Sequence, residues 1–268
     1  MRILVLIIAF VTVTLGCKQQ KSTETPTDAA TSPIHTDSSD IGQMHWDYQG
    51  ETGPEHWAMM EENSDCGGLA QSPINIVNYE RAKGKEALQI FYSDSTHIFN
   101  VVNNGHTIQY NFAAGDYIEV NGERYDLKQF HFHEPAEHLI EGIRYPMVIH
   151  LVHQDTNGRY AVLAVMAREE KSSEPFDFLE RYLPVKQDDT VLVDLAFDMN
   201  LNLPANRAYF TYNGSLTTPP CTENVRWFIF REPITVSLEQ VEALKKLMPL
   251  NNYRNEQARN DRTILLLD

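Results

Sequence analysis

Basic residues are in short supply. Lysine and arginine together number 22 against 37 aspartates and glutamates, so the 268-residue chain carries a formal net charge of −15. Such a chain repels phosphodiester backbones and anionic lipid faces alike, which excludes nucleic acid and an acidic membrane surface as partners. Cysteine is equally sparse, with Cys17, Cys66 and Cys221 the only three. No internal repeat is present. The apolar run Ile3 to Leu15 follows Met1-Arg2 and is too short to span a bilayer comfortably, so it reads as an export signal.

That run ends in Gly16-Cys17, the order expected where Cys17 becomes the lipidated first residue of the mature chain. Thr14 and Leu15 depart from the usual leucine-then-small order of such a cleavage site. Ordinary cleavage to a soluble periplasmic product and an uncleaved anchor therefore stand as alternatives. The only membrane contact expected is through this segment, above all a lipid on Cys17. Residues 18–43 are polar and without hydrophobic periodicity, as in a disordered tether, and His35 within them is read as a solvated tail residue. Residues 44–268, about 225, fit one domain with a sizeable core. With Cys17 assigned to the lipid, two cysteines remain in an exported domain, and they suggest one disulfide between Cys66 and Cys221, two buried free thiols being the alternative.

Most of the domain reads as strand. Short alternating or apolar runs recur at 88–92, 98–102, 107–112, 117–120, 127–133, 146–153, 160–168 and 225–231, punctuated by Asn104-Gly105, Asn121-Gly122 and Asn157-Gly158. Glu174 to Tyr182 reads as a short helix. Ser237-Leu-Glu-Gln240 is a capping box opening another, with Val241, Leu244 and Met248 on one face. The expected fold is mainly β with peripheral helices.

The chemistry concentrates in Gln129-Phe-His-Phe-His-Glu-Pro-Ala-Glu-His138 and in Met147-Val-Ile-His-Leu-Val-His153. On a strand, His131 and His133 share one face while Phe130 and Phe132 take the other. A histidine from a neighbouring strand completes three protein ligands plus one open position, the arrangement of catalytic zinc. His150 and His153 are three residues apart and face opposite sides of a regular strand, so only one of them can join the pair. Pattern alone does not choose. The histidine left out is expected to be hydrogen-bonded in the opposite layer.

Along nearly the whole domain the chain resembles the α-class carbonic anhydrases. The motifs run in order through His45-Trp-Asp-Tyr48, Gly53-Pro-Glu-His-Trp57, Gln71-Ser-Pro-Ile-Asn-Ile76, Asn103-Asn-Gly-His106, Gln129 to His133 with Glu137-His138, His150-Leu-Val-His153, Tyr212 to Cys221, and Val225-Arg-Trp227. The resemblance implies a single domain on a large, mostly antiparallel twisted sheet, with zinc at the bottom of a conical cleft. It maps the ligands onto His131, His133 and His150, and the reaction onto reversible hydration of carbon dioxide to bicarbonate and a proton. Thr217 would accept a hydrogen bond from the attacking hydroxide and donate one to Glu137. Thr218 would line the same site, and Val152, Val162, Leu216, Val225 and Trp227 would form the apolar wall for the gas, ordinary core packing being the competing reading for these five. His106 would carry the product proton outward through waters held by Tyr48, Asn104 and Gln109. Gln129 would orient His131 from the outer shell. The Cys66–Cys221 bridge matches exported bacterial members and would brace the Thr217 loop.

One position departs from the family. A glutamate usually stands two residues before the third zinc histidine, and here Val148 does. This departure keeps a non-catalytic binding module of the same family in view as a rival. A cupin-type metal oxygenase also uses His-x-His, a glutamate and a later histidine, but the Pro-x-Gly expected before its last histidine is absent before His150, and the motifs from Trp46 to Asn75 would go unexplained. A homodimer is compatible with everything in the chain.

Overall fold

The computed structural model describes residues 45–60, 64–82, 88–184 and 186–268. The export signal, Cys17 and the tether, with Met44, lie outside the described residues.

Thirteen strands form one mixed sheet among the described residues. In chain order they are β1 (Glu80–Arg81), β2 (Leu88–Phe91), β3 (Thr96–Asn103), β4 (Ile108–Phe112), β5 (Tyr117–Val120), β6 (Glu123–His133), β7 (Met147–Gln154), β8 (Tyr160–Glu169), β9 (Thr190–Phe197), β10 (Tyr209–Ser215), β11 (Glu223–Phe230), β12 (Ile234–Val236) and β13 (Leu265–Leu267). The spatial order is β9-β3-β4-β6-β7-β8-β11-β10-β13-β1, with β5 beside β6, β2 beside β5, and β12 beside β8. Most neighbours are antiparallel. The parallel pairs are β8–β11, β8–β12 and β13–β1. A second sheet of three two-residue strands, Asn75–Ile76, Leu139–Ile140 and Ile143–Arg144, stands apart.

The eight strand runs read from the sequence are all strands. The short strands β1, β12 and β13 and the longer β9 are additional, and so is β10, where the sequence shows a motif rather than an alternation. Among the described residues three short α-helices are peripheral: α1 (Trp57–Met60), α2 (Glu174–Glu180) and α3 (Leu238–Lys245). The Ser237 hydroxyl accepts from Gln240 N–H and the Gln240 side chain accepts from Ser237 N–H, so the capping box is formed. Val241, Leu244 and Met248 are buried together, although Met248 lies beyond the helix end.

The central strands are buried on both faces and divide the core in two. From β6, Phe130 and Phe132 pack with Ile149, Leu151, Leu163 and Val165 in the larger layer. Val148, Val152, Val162, Ala164 and Trp227 pack with Ile74 and Ile76 in the smaller one. His131, His133 and His150 alternate with the residues of the larger layer along their strands, so they belong to the opposite face.

Cys66 and Cys221 are disulfide-bonded across 155 residues of sequence, as the cysteine count and the resemblance both suggest. Both are buried in a small cluster with Tyr48 and Trp57. Closing so long a loop removes unfolded-state entropy, and loss of such a bridge costs on the order of 2–5 kcal/mol. Reduction should therefore lower the melting temperature by on the order of 10 °C. Alkylation of the folded, unreduced protein followed by mass spectrometry should find neither thiol free; finding both modified would contradict the bridge.

Candidate metal centre

The pairing of β6 with β7 places His150 directly across from His131, and Val148 across from His133. The imidazole centroids of His131, His133 and His150 are 4.8 to 5.4 Å apart. One nitrogen from each ring falls within 4.8 Å of the others. The register then breaks in a bulge between Val152 and His153. His153 ends in the opposite layer, its Nε2 2.8 Å from Tyr92 Oη and its Nδ1 3.2 Å from Ala161 O. Burial pushes its pKa down to about 3. The choice left open by the sequence is thus made by geometry, and His153 takes the structural role expected of the histidine left out.

Hydrogen bonds on the far side of two rings decide which nitrogens are free. His131 Nδ1–H donates to Gln129 Oε1 at 2.9 Å, and His133 Nδ1–H donates to the Asn252 carbonyl at 2.5 Å. Each ring is held in the tautomer that leaves the Nε2 lone pair available. Those two Nε2 atoms are 3.1 Å apart, a spacing that suits lone pairs converging on a shared ion. Burial first, and then the neighbouring imidazoles, hold His131 and His150 well below the ordinary histidine value. Neutral imidazole is the ligating form, and three such donors suit Zn²⁺ with a fourth position left for water or substrate. The residues present therefore fit the metal.

His150 is held differently. Its Nδ1 lies 3.9 Å from Glu137 Oε2, which in turn lies 3.6 Å from His133 Nε2. Its Nε2 is buried with no hydrogen-bond partner. Val148, two residues earlier on the same face, is fully buried and apolar, and no other described residue supplies the missing acceptor.

Glu137 is fully buried. Its Oε1 accepts from the Arg254 backbone N–H at 3.0 Å, and its Oε2 has no hydrogen-bond partner. Thr217 is buried on the loop after β10, but no hydrogen bond joins it to Glu137 among the described residues. That loop is closed by Leu216 N–H to Thr222 O at 2.9 Å and Cys221 N–H to Thr218 O at 2.8 Å. Just before it, Gly214 passes so close to Ser72 that an added Cβ would stand 2.1 Å from Ser72 Oγ. Only glycine allows the chain to enter the loop there. Val162, Val225 and Trp227 are essentially closed off, whereas Val152 keeps 8 % exposure and Leu216 is partly exposed. Thr218 is also half-buried.

His106 is stacked on Trp46 with centroids 3.7 Å apart, and its ring lies 6.3 Å from that of Tyr48. Burial, and after it the neighbouring His45, lower its pKa from 6.5. Gly105, at φ +82°, makes the turn before it. Asn104 Oδ1 accepts from His106 N–H at 3.0 Å and Thr107 N–H at 2.9 Å, so this carbonyl builds the turn. Gln109 Nε2 donates to Asn111 Oδ1 at 2.8 Å.

Two residues at the site went unmarked in the sequence, Asn252 and Arg254. They lie in an irregular segment without periodicity, and burial is the signal that reveals them.

Comparison with known proteins agrees with this geometry. The family described as eukaryotic-type carbonic anhydrase matches residues 52–267. A carbonic anhydrase of Klebsiella pneumoniae is 36% identical over 225 residues, 82% of this chain and 90% of that relative. One from Neisseria gonorrhoeae is 38% identical over 225 residues, 82% of this chain and 87% of its own length. The solved structure of the alpha-carbonic anhydrase of Thermovibrio ammonificans with the inhibitor sulfanilamide superimposes with a TM-score of 0.78 at 39% identity, covering 82% of this chain and 98% of that one. Because the match includes the strands that bring the three imidazoles and Glu137 together, and because relatives are 36% and 38% identical over most of their length, the chain belongs to the eukaryotic-type, or alpha, carbonic anhydrase family.

Proposed function

We propose that His131 and His133 through Nε2, and His150 through Nδ1, hold the zinc of an enzyme that reversibly hydrates carbon dioxide to bicarbonate and a proton. The observation that carries this assignment is the approach of three imidazole nitrogens within 4.8 Å of one another. Zinc in a three-histidine site of this family brings the pKa of its bound water to about 7, a family property rather than a value read from this chain.

The chain's own residues do the rest by position. Glu137 Oε2 is a buried acceptor with nothing to accept from, facing the imidazoles. A Thr217 hydroxyl turned toward it would fill that need, and the same hydroxyl would then accept from the attacking oxygen and aim its lone pair at carbon. Val152 and Leu216 are the two wall residues that keep some exposure, and they would hold the unhydrated gas with Thr218 beside them. Val162, Val225 and Trp227 act from behind, as packing that fixes this wall. His106 would take the product proton outward, with Tyr48 below it. Asn104 and Gln109 each commit one polar atom to the protein, so waters would be held by their remaining atoms.

Placement outside the cytoplasm is supported by the bridge between Cys66 and Cys221, since such bridges persist in oxidising compartments. No helix among the described residues is long and apolar enough to cross a membrane. A periplasmic site, a lipid anchor on Cys17 and a homodimer belong to the same proposal. Family membership removes the cupin-type oxygenase. The non-catalytic reading rests on Val148 alone, and the three intact imidazoles weigh against it.

Replacing His131 with alanine should abolish zinc binding and stopped-flow hydration together; hydration by a zinc-free variant would refute the mechanism. Val148→Glu should give His150 Nε2–H its acceptor and slow zinc loss to a chelator by about ten- to a hundredfold. Unchanged zinc dissociation and hydration would show that the missing carboxylate is of no consequence. Because the shuttle must be unprotonated to accept a proton during hydration, and His106 is held below its ordinary 6.5, the buffer-limited part of kcat should rise with a midpoint below pH 6.5. A midpoint above that value, or an unchanged kcat in His106→Ala at low buffer, would exclude His106 from the role.

A further inference from the structure

In the run Asn252-Tyr253-Arg254 the first and last residues touch the site through main-chain atoms. The Asn252 carbonyl accepts from His133 Nδ1–H at 2.5 Å, and the Arg254 N–H donates to Glu137 Oε1 at 3.0 Å. The segment belongs to no helix or strand. Something other than a ladder must therefore fix it.

The two flanking side chains do so. Asn252 is fully buried, and its Nδ2 donates to the carbonyls of His106 at 3.0 Å and Phe132 at 3.1 Å while its Oδ1 accepts from Glu134 N–H at 2.8 Å. It thus ties the end of β6, with its ligand histidines, to the turn that carries His106. Arg254, 2 % exposed, donates from Nη1 to Gln71 Oε1 at 2.8 Å and Ser72 O at 2.9 Å, and from Nη2 to Cys66 O at 2.9 Å. Gln71 Nε2 donates onward to Cys221 O at 3.3 Å. Both half-cystines are consequently within one or two hydrogen bonds of this guanidinium.

The cost of that arrangement argues for a purpose. A guanidinium bonded only to neutral acceptors loses hydration without gaining a paired carboxylate, and apolar side chains of similar size commonly stabilise a fold as well or better. Burial lowers the Arg254 pKa to about 10, and Glu137 is the charge that partly offsets it.

We propose that Asn252 and Arg254 are positioning residues, whose side chains anchor a segment that aims His133 and Glu137 through its main chain. The Asn252 anchor serves metal retention, and the Arg254 anchor serves the reaction and links Glu137 to the disulfide. This rests on the zinc hydrase reading above.

The test uses the zinc-loaded, oxidised full chain. Asn252→Ser should speed zinc release to a chelator by about tenfold or more. Arg254→Met should leave zinc release within about twofold of the parent yet lower kcat/KM for hydration by about tenfold, with Arg254→Lys recovering part of the loss, as for outer-shell partners generally. If both variants lose both properties in step with melting temperature, or if neither property moves, the positioning role is wrong. A measurement without substitution covers the case in which variants fail to fold. The Arg254 amide should be strongly protected from hydrogen exchange in the oxidised protein and lose protection when the disulfide is reduced under native conditions; fast exchange before reduction, or no change after it, overturns the link. Should the parent protein hydrate no carbon dioxide, the functional reading fails, while zinc release and amide protection still decide the anchoring.

Discussion

The antiparallel register of β6 against β7 is the constraint on which the site depends. Opposite positions on neighbouring strands bring Cβ atoms to about 5 Å, and here the opposed pair is His131 with His150. A slip of one residue would turn every side chain of a strand to the other face. The slip is opposed from either strand, since turning β6 would take Phe130 and Phe132 out of the larger core and put two imidazoles in, and turning β7 would exchange Ile149 and Leu151 for His150. Register is therefore specified by hydrophobic packing, and the metal site is a consequence of that packing.

Desolvation has two effects on the same rings. It holds His131 and His150 neutral, which readies them as ligands, and it makes each unpaired ring N–H expensive, at about 1–3 kcal/mol. Two of the three outer nitrogens are satisfied, by Gln129 and by the Asn252 carbonyl. These partners come from different parts of the chain, one from the same strand and one from a segment 119 residues away. Local sequence thus orients one ligand and tertiary closure orients another.

That difference explains what could be read in advance. Strands with strong alternation or long apolar runs were visible, and so was the capped helix after Ser237, because both signals are local. The β9 strand was hidden by its bulge at Leu192 to Leu195, which breaks the alternation. The choice between His150 and His153 was legible only through resemblance, because the two lie on opposite faces of one apolar strand and the pattern does not say which face meets His131 and His133. Asn252 and Arg254 were invisible, since a polar residue in an irregular segment carries no sign of burial. The Thr217–Glu137 hydrogen bond implied by the resemblance is not formed here, although the acceptor it would use stands empty.

Val148 shows how such a site can depart from its family without disturbing the fold. Every residue of β7 from Met147 to His153 is buried, so a residue at 148 is judged by both packing and polarity. Full burial of a valine side chain contributes about 1.5–3 kcal/mol. The unpaired His150 Nε2–H opposite this gain costs about 1–3 kcal/mol. The two are of one size and opposite sign, so the packing of valine offsets the unpaired ring nitrogen and the fold tolerates it. The metal is not indifferent, because the basicity and aim of a ligand ring depend on what its other nitrogen holds. Valine at this position therefore keeps the packing intact while leaving the third histidine without an outer partner.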